Sequence, residues 1–190
     1  MKYYHASETA DIKVLEPSLS SHGVPLVYFS RKRENVLVYL SNAIKRYCKE
    51  TGFDIPGKCA TWGPYGFTKE RILQIQEYYP DALYETYKGA SAYIYTAEDI
   101  CEAATDIMIP DAAVSAVPVP VTACEFVPDA YEAIMEAASK GLISIGRYEE
   151  LIKNEKFREW NRRTIRKAYA DPESAPEYKY FIEAKFRDLL

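Results

Sequence analysis

Residues 113–127 (AVSAVPVPVTACEFV) constrain the fold more than any other stretch of this 190-residue chain. The run is rich in Val, a residue that suits a pleated, half-buried surface. Pro118 and Pro120 lie inside it, and proline donates no ladder hydrogen bond. Two short strands, or one edge strand with a bend, follow from this. Beyond Pro128 the character changes to helix. Asp129 is placed to cap a helix over 130–140, and Gly141 to end it. Residues 148–169 and 177–190 are further helical candidates, split by the DPESAP segment at 171–176. The chain therefore divides into a mixed α/β portion, 1–127, and a helical extension, 128–190, packed on it. That is an α+β layout.

The N-terminal portion reads as short strands around one clear helical stripe. Residues 2–7 and the apolar run 26–30 after Pro25 are strands, joined by a serine-rich loop over 12–21. Ser30 is a candidate N-cap. Val36, Leu37, Leu40, Ala43, Ile44, Tyr47 and Cys48 share one face at period 3.6, and Gly52 closes that helix. Residues 53–67 hold three glycines and two prolines, so a loop with one short strand is expected. Thr68 is placed to cap a helix over 69–79 that Pro80 stops. Residues 82–87 read as extended, Gly89 as punctuation and 92–96 as a strand. Nothing repeats at a fixed period, so a solenoid is excluded.

Composition bounds the function. Hydrophobic residues make up 48% of the chain, enough for a sizeable core. The 17 tyrosines suit partly wet clefts as well as ordinary cores. A net charge of -4 gives no electrostatic case for nucleic-acid binding by the whole chain. The basic stretch 153–167 (KNEKFREWNRRTIRK) is interleaved with Glu155 and Glu159, and reads as a solvated helix face. Cys48, Cys59, Cys101 and Cys124 lack redox or zinc spacing, and no metal site is expected. Cys48 and Cys124 read as small buried hydrophobes. The first residues lack the apolar core of a signal peptide, and no apolar run reaches the ~18 residues of a membrane span. A reducing, cytoplasmic setting is expected.

Two histidines are present, His5 at a strand end and His22 in a loop. A His beside small and hydroxyl residues can direct a ring nitrogen into a cleft, where it holds a ribose hydroxyl or polarises a reacting group. Tyr4-His5-Ala6-Ser7, a variable loop, then Leu26-Val27-Tyr28-Phe29-Ser30 and a helix resembles the opening of the ADP-ribosyltransferase superfamily, in its His-Tyr class. Residues 91–96 (SAYIYT) also resemble the central strand of small bacterial members. The resemblance covers residues 2–127. It implies a split antiparallel sheet core and NAD as the substrate or bound cofactor. By this resemblance His5 contacts the NAD ribose and Tyr28 stacks on nicotinamide. Ala6, Ser7 and Ser30 complete the cofactor-binding set. The acceptor is not readable.

Cleaving the nicotinamide–ribose bond builds positive charge on the sugar, and a nearby carboxylate stabilises it. The family's acid, laid onto this chain by the same resemblance, falls on or near Ala113. Asp111 is the nearest upstream acid, Glu125 serves if the register shifts by one strand, and Glu98 follows the 92–96 strand. An acid at a strand end is usually just solvated. Without the acid, the same fold would be a non-catalytic module binding a nucleotide or ADP-ribose. An RNA 2′-phosphotransferase-like activity is disfavoured because residues 1–127 show no obvious basic patch. No GxSxG elbow, P-loop, GxGxxG or HExxH occurs, and nothing specific supports a Cys59–His5 nucleophile pair.

Overall fold

The computed structural model describes residues 1–19, 23–55, 57, 59–61, 65–103 and 108–190. His22 lies outside them. Strands β1 (Tyr3–Ser7), β2 (Val14–Leu15), β3 (Ser18–Leu19) and β4 (Pro25–Ser30) lead to a 3₁₀ segment, Arg33–Tyr39, and helix α1 (Ala43–Thr51). Then come β5 (Tyr65–Phe67), β6 (Leu73–Gln76), α2 (Ala82–Tyr87) and β7 (Ala92–Ala97). The Val-rich stretch gives β8 (Ala112–Ser115), β9 (Val119–Pro120) and β10 (Ala123–Val127). Helix α3 (Ala130–Ser139), strand β11 (Ile143–Gly146) and helices α4 (Tyr148–Leu151), α5 (Glu155–Ala170) and α6 (Pro176–Lys185) follow.

The main sheet has the order β10-β7-β1-β4-β3, with β8 also on β4, and its pairs are antiparallel. A second sheet runs β11-β6-β5, and β2 pairs β9 in a third. The protein is thus an α+β fold built mainly on antiparallel sheets. One face of the main sheet carries Ile94, Ala92 and Val127 into a core shared with Val36, Leu37, α3 and the β6–β11 pair. The opposite face buries Tyr3, Val27, Phe29, Tyr95 and Ala113. A third core joins α1, α2, α5 and α6 around Ile44, Tyr79, Ile165 and Phe181.

Several sequence expectations change. The single helix expected through 36–48 breaks into the 3₁₀ segment and α1. Asn42 is the cause: its side-chain oxygen accepts from Ile44 N (3.0 Å) and Lys45 N (3.3 Å), capping a fresh helix. Ser30 caps no helix; its hydroxyl accepts from Lys32 N in a local turn. The helix expected over 69–79 is instead a β5–β6 hairpin. Leu73 and Ile75 alternate with Gln74 and Gln76, buried against half-buried, which is strand periodicity. Its turn places Arg71, not glycine, at φ 62°, so no glycine marks it. Residues 82–87 are helical rather than extended, and Asp81 supplies no side-chain cap there. The 12–21 loop contains β2 and β3. The run expected as one helix over 148–169 divides at Asn154, which caps α5. Cys124 is exposed on β10 rather than buried, whereas Cys48 is buried.

One strand falls inside the segment expected to be helical. β11 pairs in parallel with β6, Ile143 opposite Leu73 and Gly146 opposite Gln76. The pair is locked by Glu77, 2% exposed. Its backbone N–H donates to Gly146 O at 2.9 Å. Its carboxylate accepts from Leu83 N, Arg147 Nη1 and Tyr148 N, each at 3.2 Å. One buried acid therefore ties β6 to the starts of α2 and α4. Glu77→Ala leaves two backbone donors and a guanidinium without their acceptor. A loss of about 2–4 kcal/mol is expected in urea unfolding, since a buried unsatisfied donor costs about 1–3 kcal/mol. A variant within 0.5 kcal/mol (roughly the surface-substitution range) of wild type would show that Glu77 is not a tie.

Candidate functional site

β1 and β4 are neighbours that part company. They pair at Tyr4 and Ser30. If the antiparallel ladder continued, Tyr28 would face Ala6 two residues on. Instead the Tyr28 carbonyl accepts a hydrogen bond from His5 Nδ1 at 2.8 Å. A side chain has taken the place of the next ladder bond, and the strands diverge around it. Beyond the split, β1 stays paired with β7 and β4 with β8.

A cavity of about 370 Å³ opens at this split, at the low end of the size of small-molecule sites. His5, Ala6, Tyr28 and Ser30 line one side. Asn35, Val36 and Tyr39 come from the 3₁₀ segment, Tyr65 and Phe67 from β5, and Ile109, Pro110 and Ala112 from the approach to β8. The aromatic wall is ordered edge to face: Tyr39 and Tyr65 have centroids 5.7 Å apart, and Tyr65 and Phe67 6.5 Å. The Tyr39 and Tyr65 hydroxyls are hydrogen-bonded to each other. Elsewhere, a void among Tyr79, Leu83, Tyr87 and Phe181 holds only about 30 Å³, the space of one water.

His5 also borders a more open hollow of about 320 Å³ on the opposite face, beside Ile12, Leu15 and Leu26. Its ring stands edge-on to Phe29, centroids 6.0 Å apart. Burial lowers its pKa from 6.5, against the smaller raising effect of the Tyr28 carbonyl. The imidazole is therefore neutral at pH 7. A carbonyl only accepts, so Nδ1 carries the proton and Nε2 keeps its lone pair. Nε2 can accept a hydrogen bond from a ligand hydroxyl, but it is not a cationic catalyst.

Of the expected site residues, the structure brings His5, Ala6, Tyr28 and Ser30 together. Ser7 is not in the lining; its hydroxyl accepts from Thr9 N at 3.1 Å. Asn35, Tyr39, Tyr65 and Phe67 were not foreseen. Asn35 sits one residue before the apolar stripe and carries no signal of its own, while β5 lies in a glycine- and proline-rich stretch.

The acids are distributed by a run of three cations after β4. Arg31 binds Glu102 at 2.6 Å, Lys32 lies 3.2 Å from Asp111, and Arg33 grips Glu125 at 2.5 and 2.8 Å. Asp111 sits at φ 60°, with Arg71 also 3.7 Å from its carboxylate, and is not among the lining residues. Ala113 packs into the core on the opposite face, so an acid there would point away from the cavity. Ala112 is the β8 residue that faces it. Glu98 is exposed beyond the end of β7. Glu125 is different. Ala6 pairs Ile94, and Ile94 pairs Glu125, so the three side chains form a row on the cavity face. At ~4.8 Å per strand, Glu125 starts about 10 Å from Ala6.

Among the described residues no group of three or more His, Cys, Asp or Glu is arranged to hold a metal ion. No described helix is long and apolar enough to cross a membrane. No protein-family model, curated protein or solved structure matches the chain.

The lowered pKa of His5 fixes a pH dependence. The unfolded chain binds its proton first, near pH 6.5, so native stability is complete above that value and falls as pH drops below it. Between pH about 7 and 5, where few other groups titrate, the melting temperature should decline. The variant His5→Gln should lose much of that slope. An unchanged slope would place the imidazole in solvent.

Proposed function

We propose that the chain binds NAD, with its nicotinamide riboside end in the cavity at the β1–β4 split, as an ADP-ribosyltransferase-like protein. The observation that carries this reading is the fixed His5 ring beside an aromatic cavity shared with Tyr28. Nε2 of a neutral imidazole accepts from a ribose hydroxyl, and the rings of Tyr28, Tyr65 and Phe67 offer faces for a flat heterocycle. The remaining dinucleotide would extend out of the cavity. A cytoplasmic setting belongs to the same proposal, and all four cysteines stand as free thiols.

Two versions share the site. In the first, Glu125 leaves Arg33, reaches the ribose and supports transfer of ADP-ribose to an acceptor. In the second, the chain is a non-catalytic nucleotide- or ADP-ribose-binding module. The two-point Arg33–Glu125 pair favours the second, because it occupies the one candidate acid on the cavity face. None of the described lining residues is acidic.

Calorimetry with NAD tests the reading. Loss of one neutral hydrogen bond in His5→Ala should weaken binding by roughly 2- to 13-fold. Tyr28→Ala should cost a similar amount through lost burial and stacking. If the wild-type chain cleaves NAD, Glu125→Gln should abolish cleavage while leaving binding nearly intact, since the carboxylate acts in the transition state. A folded wild-type chain that binds no NAD at millimolar concentration sinks both versions.

A further inference from the structure

We propose that the exposed side of α5 binds a single strand of nucleic acid, its cations holding phosphates and Trp160 giving a ring on which a base stacks. None of its residues lines the cavity at the β1–β4 split, so this is a second surface.

Helix α5 carries six cationic side chains, Lys156, Arg158, Arg162, Arg163, Arg166 and Lys167, against two acids, Glu155 and Glu159, in a chain whose net charge is -4. All six cations are exposed. The interleaved acids pointed to a solvated face. In the structure, among the described residues, neither acid is in an ion pair, and nor is any of the six cations. Arg166 Nε donates to a carbonyl, Leu189 O, at 2.7 Å. Helix α1, the next most basic, carries three cations, and two of them, Lys45 and Arg46, have acidic partners. Unbalanced positive charge is therefore densest on α5.

Helical spacing sorts these side chains into two rows. Arg158, Arg162 and Arg166 follow one another at intervals of four residues. Lys156, Trp160, Arg163 and Lys167 follow at intervals of four, three and four, so an aromatic ring, 37% exposed, stands within a row of cations. Tyr78 and Phe157, with ring centroids 5.1 and 6.0 Å away, hold that ring in place. Four of the six cations are Arg, whose planar fork meets phosphate oxygens at two points. A basic track with an aromatic platform is the combination that binds single strands. An anionic bilayer fits less well, because a helix lying in a membrane surface needs a free apolar face. That of α5 is taken up inside the protein. Ile165 packs in the core with Ile44 and Phe181, and Asn161, 2% exposed, donates from Nδ2 to Tyr78 O at 3.1 Å. A run of carboxylates would answer the cations but offers nothing flat to Trp160.

Fluorescence anisotropy on the intact chain, with labelled oligo-dT and oligo-rU of about 20 nucleotides, tests this, and the two arms separate DNA from RNA. Wild type should bind with a log affinity that falls against log salt at a slope of about -2 to -4, as three to six phosphate contacts give. The triple variant Arg158→Gln, Arg162→Gln, Arg163→Gln should flatten that slope by about 2 and weaken binding by about tenfold or more at low salt. Trp160→Leu keeps apolar packing on Tyr78 and Phe157 and removes the stacking plane. It should weaken binding by about fivefold or more and leave the slope unchanged. Should the Leu variant melt lower, the triple variant, changed only at exposed positions, carries the readout. No binding at ~100 µM protein in low salt overturns the proposal. Affinity that both variants leave unchanged overturns the assignment to α5. Competition by poly-glutamate as strong as by oligo-dT, or tighter capture by phosphatidylserine vesicles, overturns nucleic acid as the partner. Tighter binding of a duplex of equal length overturns the single strand. The NAD reading stands or falls separately, at the cavity.

Discussion

The hydrogen bond from His5 Nδ1 to the Tyr28 carbonyl is the interaction on which the site depends. Antiparallel neighbours tend to zip, because each further pair satisfies two backbone groups. Parting them exposes polar backbone, and a side-chain donor in the gap offsets part of that cost. The same bond sets the tautomer of the imidazole. Shape and proton placement thus follow from one contact: it stands where the next ladder bond would form, and it leaves Nε2 as the acceptor.

The run Arg31-Lys32-Arg33 is a second organising device. Each cation reaches an acid from a different later segment, Glu102, Asp111 and Glu125. Partly exposed pairs of this kind add little stability individually. Their effect is positional. They bring the approach to β8 and the edge strand β10 toward the turn after β4, and so frame the cavity. They also use up the charge around it, leaving a pocket that is aromatic and close to neutral.

Much of the frame was legible in the sequence. The apolar run before Ser30, the capped helix after Asp129 and the proline-interrupted Val stretch each carry a local signal that the fold obeys. What stayed hidden has a common cause. Asn42 restarts a helix in the middle of an unbroken apolar stripe, and only the tertiary setting selects capping over continuation. Leu73–Gln76 alternates for four residues, too short to outweigh a plausible Thr68 cap. At the site, His5 and Tyr28 stood out because residues 4–7 and 26–30 together resemble the opening of the ADP-ribosyltransferase superfamily. Asn35 and Tyr65 did not, because their meaning lies in which cavity they reach, and sequence spacing does not encode that.

The parallel pairing of β6 with β11 has a consequence for how the site is made. Leu73 and Ile143 are 70 residues apart in sequence and adjacent in the sheet. Closing so long a loop is entropically slow, and non-local strand pairing folds later than local contacts. β5, which carries Tyr65 and Phe67, pairs only with β6, and β6 has no second partner until β11 arrives. An isolated two-stranded hairpin is marginal in water. On a ribosome, therefore, the His5 side of the cavity could form early, while its aromatic wall would wait until residue 146 had left the exit tunnel. The binding site is assembled across time, from an N-terminal half that is ready first and a wall that the C-terminal third completes.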